Sequence, residues 1–363
     1  MQMKMRMNTE MENKLSKEKV LLGLSGGVDS ATAALLLKEK GFQVTGYYFD
    51  VLGNNHDGKK SATEIASQLG IELIIQDVSS DFRNIVIDDF CNQYLHGKTP
   101  NPCVVCNPNI KFRNLIKTAN EIGAYYIATG HYCQVQYDNG SNKYYIKRAE
   151  NMAKDQSYML YRLGQEAISR LIFPLGQYKD KEEIRELARN NSLKNSDLKD
   201  SQEICFVDQS IGYVKYMKNL GIKSVPGKFI DKNGNVLGTH QGILNYTLGQ
   251  RKGLGIALGK PVYVTKIDYD SNQVVLGDEE ELFKNTVVSG NNFFTGMPME
   301  NFEGKRILAK VRYTTQPTFA SFKVDDDKII TTFERPQRAP TPGQSIVFYS
   351  PENDWTIGGG IIE

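Results

Sequence analysis

At 363 residues the chain is too long for one ordinary hydrophobic core, so two or three domains are expected. Its 44 basic and 42 acidic residues leave a formal charge of +2, which excludes a histone-like cationic coat but not a local basic face. The five cysteines are few and odd in number, Met1 to Glu18 lacks the apolar core of a signal peptide, and no stretch nears the ~18 apolar residues of a membrane span. A cytoplasmic, reduced setting without a membrane is expected, where cysteines are more often reactive or metal-binding than disulfide-paired. Residues 1–18 read as a frayed, disordered lead-in.

Val20-Leu21-Leu22 reads as a buried strand, which stops in a loop of Ser25-Gly26-Gly27 and restarts as a helix with Ala33, Leu36 and Leu37 on its apolar side. Asp29 and Ser30 stand where that helix begins. Two adjacent glycines let the backbone turn sharply and approach a ligand, and the helix N-terminus behind them adds unpaired donors, an arrangement suited to phosphate. The loop is neither a Walker A motif, since no Gly-Lys-Ser/Thr follows, nor a dinucleotide Gly-x-Gly-x-x-Gly. A plain strand-to-helix turn capped at Ser25 and Ser30 is the bland alternative. The order Ser-Gly-Gly-x-Asp-Ser resembles the PP-loop of ATP pyrophosphatases, which split ATP between the α- and β-phosphates.

Further strands are expected over Phe42 to Phe49, Ile71 to Ile75 and Tyr125 to Ala128. Asn54 to Gly58 reads as a loop, and Ala62 to Leu69 and Ile110 to Ile122 as helices. Phe82, Val86, Phe90 and Tyr94 recur every four residues along one more helix, and Lys181 to Asn190 is a charged amphipathic one. Alternating strands and helices mean βαβ units and a mostly parallel sheet with ligands at the carboxyl ends of its strands. Beyond Phe206 short β-rich runs take over. They begin with a hairpin over Gly227 to Val236 that carries an Asn-Gly turn. The expected fold is α/β: an N-terminal parallel-sheet PP-loop domain over 19–210, a small β-rich module over 211–272, and a C-terminal β-barrel or sandwich over 273–363.

Lys98 to Asn107 reads as a stiff two-proline loop that holds Cys103 and Cys106 in a Cys-x-x-Cys spacing. A short apolar strand after a polar loop holds Cys205, in Asp200-Ser201-Gln202-Glu203-Ile204-Cys205-Phe206. Cys91 and Cys133 read as small buried hydrophobes. Ala128-Thr129-Gly130-His131-Tyr132, Lys154-Asp155-Gln156-Ser157-Tyr158, Thr247-Leu248-Gly249-Gln250-Arg251-Lys252-Gly253-Leu254-Gly255, Thr341-Pro342-Gly343-Gln344 and the final Gly358 to Glu363 join these stretches. Together they closely resemble the tRNA-specific 2-thiouridylase family.

That resemblance implies an enzyme that adenylates O2 of the wobble uridine of tRNA with ATP and Mg2+, then replaces the oxygen by sulfur. It implies ATP contacts at Gly23, Leu24, Ser25, Gly26, Gly27, Val28, Asp29, Ser30, Phe49 and Gly130. Cys205 would carry sulfur as a persulfide from a donor protein, and Cys106 would be the second catalytic thiol, joined to it by a mobile loop across 99 positions. Asn101, Pro102 and Cys103 would meet the flipped base. His131, Lys154, Asp155, Gln156, Arg312, Tyr313 and Gln344 would contact the tRNA, and a monomer is expected. Some members carry Asp at the place of Cys103, where it serves as a proton acceptor, and have a longer segment after Phe49.

Two other readings stand beside this one. Cys103, Cys106 and Cys205 could ligate an iron–sulfur cluster with one open iron, whereas zinc would want a fourth ligand. A different PP-loop synthetase would not need these thiols, and a non-catalytic RNA-binding module would need neither thiols nor nucleotide loop. Asn245 to Lys266 carries four basic and no acidic residues, and Lys305 to Arg338 eight basic and four acidic, interleaved with Tyr246, Tyr263 and Tyr313. Such runs are ordinarily solvated faces, and here they also suit an RNA backbone.

Overall fold

The structure, a computed structural model, describes residues 18–53, 56–196, 204–208 and 210–363. The expected lead-in, apart from Glu18, lies outside the described residues, as do Asn54, Asn55 and the polar stretch Asp200 to Glu203. Contacts divide the chain into two compact units. One is Met1–Ile85 with Val104–Asp200 and Asp354–Thr356; the other is Val86–Cys103 with Ser201–Asn353 and Ile357–Glu363.

The first unit is built on a five-stranded sheet in the order β3-β2-β1-β4-β7. Its strands are β1 (Lys19–Gly23), β2 (Gln43–Asp50), β3 (Glu72–Asp77), β4 (Tyr126–Thr129) and β7 (Leu171–Ile172), all paired in parallel. Val20, Leu21 and Leu22 are fully buried, as a central parallel strand covered on both faces requires. Val20 and Leu22 join one core with Ala31, Ala34 and Leu37 of α1 (Val28–Glu39). Leu21 joins the other with Phe112 and with Leu115 of α6 (Arg113–Glu121). A two-stranded antiparallel hairpin, β5 (Cys133–Asp138) with β6 (Lys143–Arg148), was not foreseen from the sequence.

Several helices depart from expectation. Helix α2 runs His56–Leu69, so the expected loop through Gly58 is already helical from its third residue. The four-residue spacing of Phe82 to Tyr94 falls on three joined pieces, α3 (Ser79–Phe82), a π-helical turn (Arg83–Ile87) and α4 (Asp88–Leu95). Four residues of α-helix overshoot one turn by about 40°, and the wider π turn takes up that drift. The two-proline loop proves to be helical as well. Pro102 opens α5 (Pro102–Cys106), and Asn101 Oδ1 accepts the Cys103 N–H at 3.2 Å. Proline at the first position and an asparagine cap are what a helix start favours. Pro108, which cannot donate a backbone hydrogen bond, sits in a second π segment, Asn107–Phe112, where the Asn109 side chain donates to the Val105 carbonyl at 2.9 Å. Helix α7 is Gln165–Ile168, and α8 (Lys181–Asn190) falls where expected, with an Asp180–Glu183 capping box.

In the second unit Phe90 meets Phe206 edge-on at 5.2 Å, and Tyr94 stacks on Tyr213 at 4.4 Å. Tyr213 lies on α9 (Gly212–Asn219), a helix within a stretch read as β-rich. The hairpin forms as expected, β8 (Gly227–Ile230) with β9 (Val236–His240), closed by Asp231 accepting the N–H groups of Asn233 and Asn235. It joins β10 (Tyr263–Asp268) and β11 (Gln273–Gly277) in a four-stranded sheet. The strand at Gln273, read as the start of the barrel, is therefore hydrogen-bonded to β10 and β8 instead. The closed antiparallel barrel consists of β12 (Phe283–Phe294), β13 (Ile307–Lys310), β14 (Thr318–Asp325), β15 (Lys328–Arg338), β16 (Ser345–Tyr349) and β17 (Thr356–Ile362), in the order β12-β15-β14-β13-β16-β17. Phe294, Phe322 and Phe348 pack together there, with centroids 5.1 to 5.8 Å apart. Among the described residues no helix is long and apolar enough to cross a membrane.

One close approach in the first unit is testable. A Cβ on Gly176 would lie 1.8 Å from the Cys133 carbonyl oxygen at the start of β5. Gly176→Ala must push that strand aside, and urea unfolding is expected to show a loss of about 1–3 kcal/mol; an unchanged midpoint would mean that β5 yields freely.

Candidate functional site

In the order β3-β2-β1-β4-β7, β1 lies where the chain switches direction across the sheet, and ligands bind at the carboxyl ends of strands flanking such a point. The Ser25–Ser30 loop leaves that end of β1, and Gly130-His131 leaves the adjacent end of β4. The loop is held from within by the Ser30 hydroxyl, which donates to the Gly27 carbonyl at 3.0 Å and accepts the Ser25 N–H at 3.2 Å. It is held from outside by Ser61 Oγ and Asn195 Nδ2, which donate to the Gly26 carbonyl at 2.8 and 2.7 Å. Gly26 has φ +83°, and a Cβ there would meet Ser61 and the Ala62 nitrogen at 2.8 Å, so only glycine fits. Gly27 caps α1 with no side-chain acceptor, which leaves the first-turn amides to an anionic ligand.

The other residues implied to bind ATP converge on this loop. A Cβ on Gly23 would lie 3.3 Å from the Phe49 ring, and one on Gly130 would lie 3.0 Å from the Asp29 carbonyl carbon and the Ser30 nitrogen. Leu24 and Val28 are buried in the core, so their share in a ligand site is through the backbone. Asp29, expected at the start of the helix and among the ATP contacts, also anchors a network. Tyr132 donates its hydroxyl to Asp29 Oδ1 at 2.8 Å, and Lys181 Nζ lies 3.0 Å from Oδ2. Sequence reading missed Tyr132, Lys181, Ser61 and Asn195 because each reaches the loop from a distant segment.

The implied RNA contacts of this unit divide into two kinds. Asp155 is 3% exposed, and its carboxylate accepts from Arg148 Nε at 3.1 Å, the Ala149 N–H at 3.1 Å and Ser157 Oγ at 2.8 Å. Its carboxylate therefore holds its own loop together. Gln156 accepts the Tyr132 N–H through Oε1 at 2.9 Å and donates its own N–H to the Tyr132 carbonyl at 3.0 Å, which fixes the chain after His131. His131 stacks on Phe112 and hydrogen-bonds Thr129 Oγ1 at 2.7 Å. Burial, with Lys111 nearby, lowers its pKa to about 3, so the imidazole is neutral near pH 7.

Cys91 and Cys133 are buried, and burial pushes the Cys133 thiol well above its ordinary pKa, as inert structural thiols should be. Cys106 is buried in the first unit, beside Asn107, whose Nδ2 donates to the Met159 carbonyl at 2.9 Å. Cys103 and Cys205 are exposed in the second unit. Cys205 lies in a turn closed by the Val207 N–H on the Ile204 carbonyl, not in the expected strand. Among the described residues no group of three or more His, Cys, Asp and Glu side chains is arranged to hold a metal ion.

Three implied tRNA residues of the second unit share one pocket, lined by Arg312, Tyr313 and Gln344 with Thr99, Thr247 and Thr341. The Arg312 guanidinium donates to the Leu248 and Ala339 carbonyls and to Thr341 Oγ1. Gln344 Nε2 donates to the Thr99 carbonyl at 2.8 Å, and the Thr99 N–H donates to the Pro342 carbonyl at 2.8 Å. Gly343, at φ +90°, makes this latch fit, since a Cβ there would lie 2.9 Å from Gln93 Oε1 and 3.0 Å from the Thr99 nitrogen.

Two measurements check these assignments. Asp155→Ala leaves the Arg148 guanidinium without its buried partner and is expected to cost about 3–5 kcal/mol in urea unfolding, whereas Lys154→Ala should keep stability and weaken tRNA binding. A normal midpoint for Asp155→Ala would return that carboxylate to the surface. The lowered pKa of His131 makes its contribution to stability complete above pH 6.5 and lost as pH falls toward 3, because the unfolded chain takes up the proton first. His131→Gln should therefore flatten the stability–pH curve within that window and leave it unchanged above it.

Comparison with known proteins agrees with this architecture. The family models described as tRNA methyl transferase HUP domain, tRNA methyl transferase PRC-barrel domain and Aminomethyltransferase beta-barrel domain match residues 18–209, 215–278 and 286–362. The tRNA-specific 2-thiouridylase MnmA 1 of Caldanaerobacter subterraneus subsp. tengcongensis is 45% identical over 361 residues, covering 95% of this chain and 98% of its own. The tRNA-specific 2-thiouridylase MnmA of Clostridium acetobutylicum is 44% identical over 362 residues, covering 95% of this chain and 99% of its own. Among solved structures, an NMN synthetase from Francisella tularensis aligns with a TM-score of 0.35 at 16% identity, over 60% of this chain and 87% of that one. The chain belongs to the tRNA-specific 2-thiouridylase family.

Proposed function

We propose that the chain catalyses ATP-dependent 2-thiolation of the wobble uridine of tRNA, with sulfur drawn from a cysteine persulfide. The observation that carries this reading is 44–45% identity along nearly the whole chain to 2-thiouridylases, in a sequence that keeps the adenylating loop and three further thiols. Carbonyl oxygen is a poor leaving group, so O2 of the uracil first attacks the α-phosphorus of ATP and pyrophosphate departs from the Ser25–Ser30 loop. The first-turn amides of α1 meet the charge that grows on the leaving phosphate. Asp29 and the Ser30 hydroxyl are hard oxygen donors that fit Mg2+, which would help neutralise the phosphates there.

Sulfur transfer falls to the cysteines. The terminal sulfur of a Cys205 persulfide attacks C2, and O2 leaves with AMP. Attack of the Cys106 thiolate on the Cys205 sulfur then breaks the S–S bond and releases the thiouridine. If Cys106 acts first, the same attack frees hydrosulfide, which reacts at C2 instead. Either order ends in a Cys106–Cys205 disulfide, which a thiol reductant must reduce by two electrons. Exposure of Cys205 suits loading by a separate persulfide-bearing donor protein. Asn101, Pro102 and Cys103 are assigned to the flipped base, and Lys154, His131, Arg312, Tyr313 and Gln344 to the tRNA. We assign the enzyme to the cytoplasm as a monomer.

The test is an anaerobic reaction of the protein with unmodified tRNA, ATP and a persulfide donor, read by mass spectrometry. Thiouridine with AMP and pyrophosphate is expected, and Cys106→Ser and Cys205→Ser should each lower thiolation at least 100-fold while tRNA binding survives. ADP with phosphate, a methylated product, or thiolation that persists in both variants would overturn the reading. Thiolation that depends on reconstituted iron would replace the persulfide by a cluster.

A further inference from the structure

Lys181 occupies the first position of α8, directly after the Asp180 cap. That is the unfavourable end of a helix for a cation, since the dipole and the first-turn amides attract acids, and Glu182 and Glu183 follow it there. Its side chain is only 12% exposed, although a lysine beside a helix cap could ordinarily extend into water. A charge placed against the local rule and then largely withdrawn from solvent calls for a reason other than helix stability. What holds it is the nucleotide loop. Its ammonium lies 3.0 Å from Asp29 Oδ2 and 5.8 Å from the centre of the Tyr132 ring. Asp29 in turn takes the Tyr132 hydroxyl on its other oxygen.

We propose that Lys181 is a phosphate-contacting residue of the adenylation step, kept on Asp29 in the free enzyme and passed to the β- and γ-phosphates when ATP binds. The inference rests on the reading of Ser25–Ser30 as the ATP loop. A bound triphosphate brings about four negative charges to a loop that carries Asp29, a repulsion that one Mg2+ held there would only partly neutralise. The ammonium beside Asp29 offsets that repulsion in place. Its four-carbon stem lets it follow the phosphates without any movement of α8. As the bond between the α-phosphorus and the bridging oxygen breaks, negative charge collects on the departing pyrophosphate, and a cation already beside the loop stabilises that state more than the ground state. The competing explanation is a purely structural tie between α8 and α1, which would affect every ligand alike.

Ligand dissection separates the two. Lys181→Gln and Lys181→Arg are made in the full chain and titrated by calorimetry, in the presence of Mg2+, with AMP, ATP and inorganic pyrophosphate, alongside thermal unfolding. AMP carries the adenosine and α-phosphate but none of the phosphates assigned to Lys181. Lys181→Gln is expected to bind AMP as the parent does and to lose at least ten-fold in affinity for ATP and pyrophosphate, with Lys181→Arg retaining most of it. Parent-like ATP and pyrophosphate affinity in Lys181→Gln overturns the proposal, as does an equal loss for AMP and ATP with a lowered Tm. A parent protein that binds AMP and ATP equally well refutes it too, while one that binds neither removes the ATP reading itself.

Discussion

Two stretches of backbone pressed together define the nucleotide site. At the end of β4 the chain passes so close to the first residues of α1 that a methyl group on Gly130 would stand 3.0 Å from the Ser30 nitrogen. No side chain can lie between them, and this places the residues on either side. Two positions beyond Gly130, the Tyr132 hydroxyl reaches Asp29, and one position beyond it, His131 is wedged onto Phe112. Gly26 repeats the constraint on the opposite flank, where its carbonyl receives Ser61 and Asn195. The loop is thus rigid before any ligand arrives, which is what charge stabilisation in a transition state requires, because no reorganisation is left to offset the gain.

The residues grouped as RNA contacts turn out to spend much of their bonding capacity inside the protein. Asp155 is engaged by Arg148 and Ser157, Gln156 Oε1 by the Tyr132 N–H, Arg312 by two carbonyls and a hydroxyl, and Gln344 Nε2 by Thr99. A buried carboxylate–guanidinium pair is rarely a net source of stability, but it holds a loop to one conformation because every alternative leaves a charge without a partner. These side chains therefore order the segments that carry them.

Much of the first unit was legible because its signals are local. The fully apolar Val20-Leu21-Leu22, the paired glycines and the capped, strongly amphipathic α8 each announce their state within a few residues. The misreadings have local causes too. Prolines at 100 and 102 suggested a loop, yet Pro102 starts a helix. Leu-poor, aromatic α9 offered little helical signal beside the surrounding strands. The Asp29–Lys181 pair spans 152 positions, and no pattern in one sequence announces such a partnership. One trace was present: a lysine standing where the dipole of α8 asks for an acid.

The cysteines show how burial can divide one piece of chemistry between like groups. In the proposed chemistry a persulfide is accepted from another protein, so its carrier needs an open approach, and Cys205 in its exposed turn has one. The second thiol needs the reverse. A thiolate left in solvent is open to oxidants and stray disulfides, whereas an enclosed thiol stays inert until the chain around it moves. Cys106 is enclosed in this way, and the neighbouring Asn107, bonded to the Met159 carbonyl, holds that stretch of helix in place. Had both thiols been exposed they could have paired idly, and had both been buried neither could have been loaded. The contrast in exposure, more than the Cys-x-x-Cys spacing, suits each thiol to the task proposed for it.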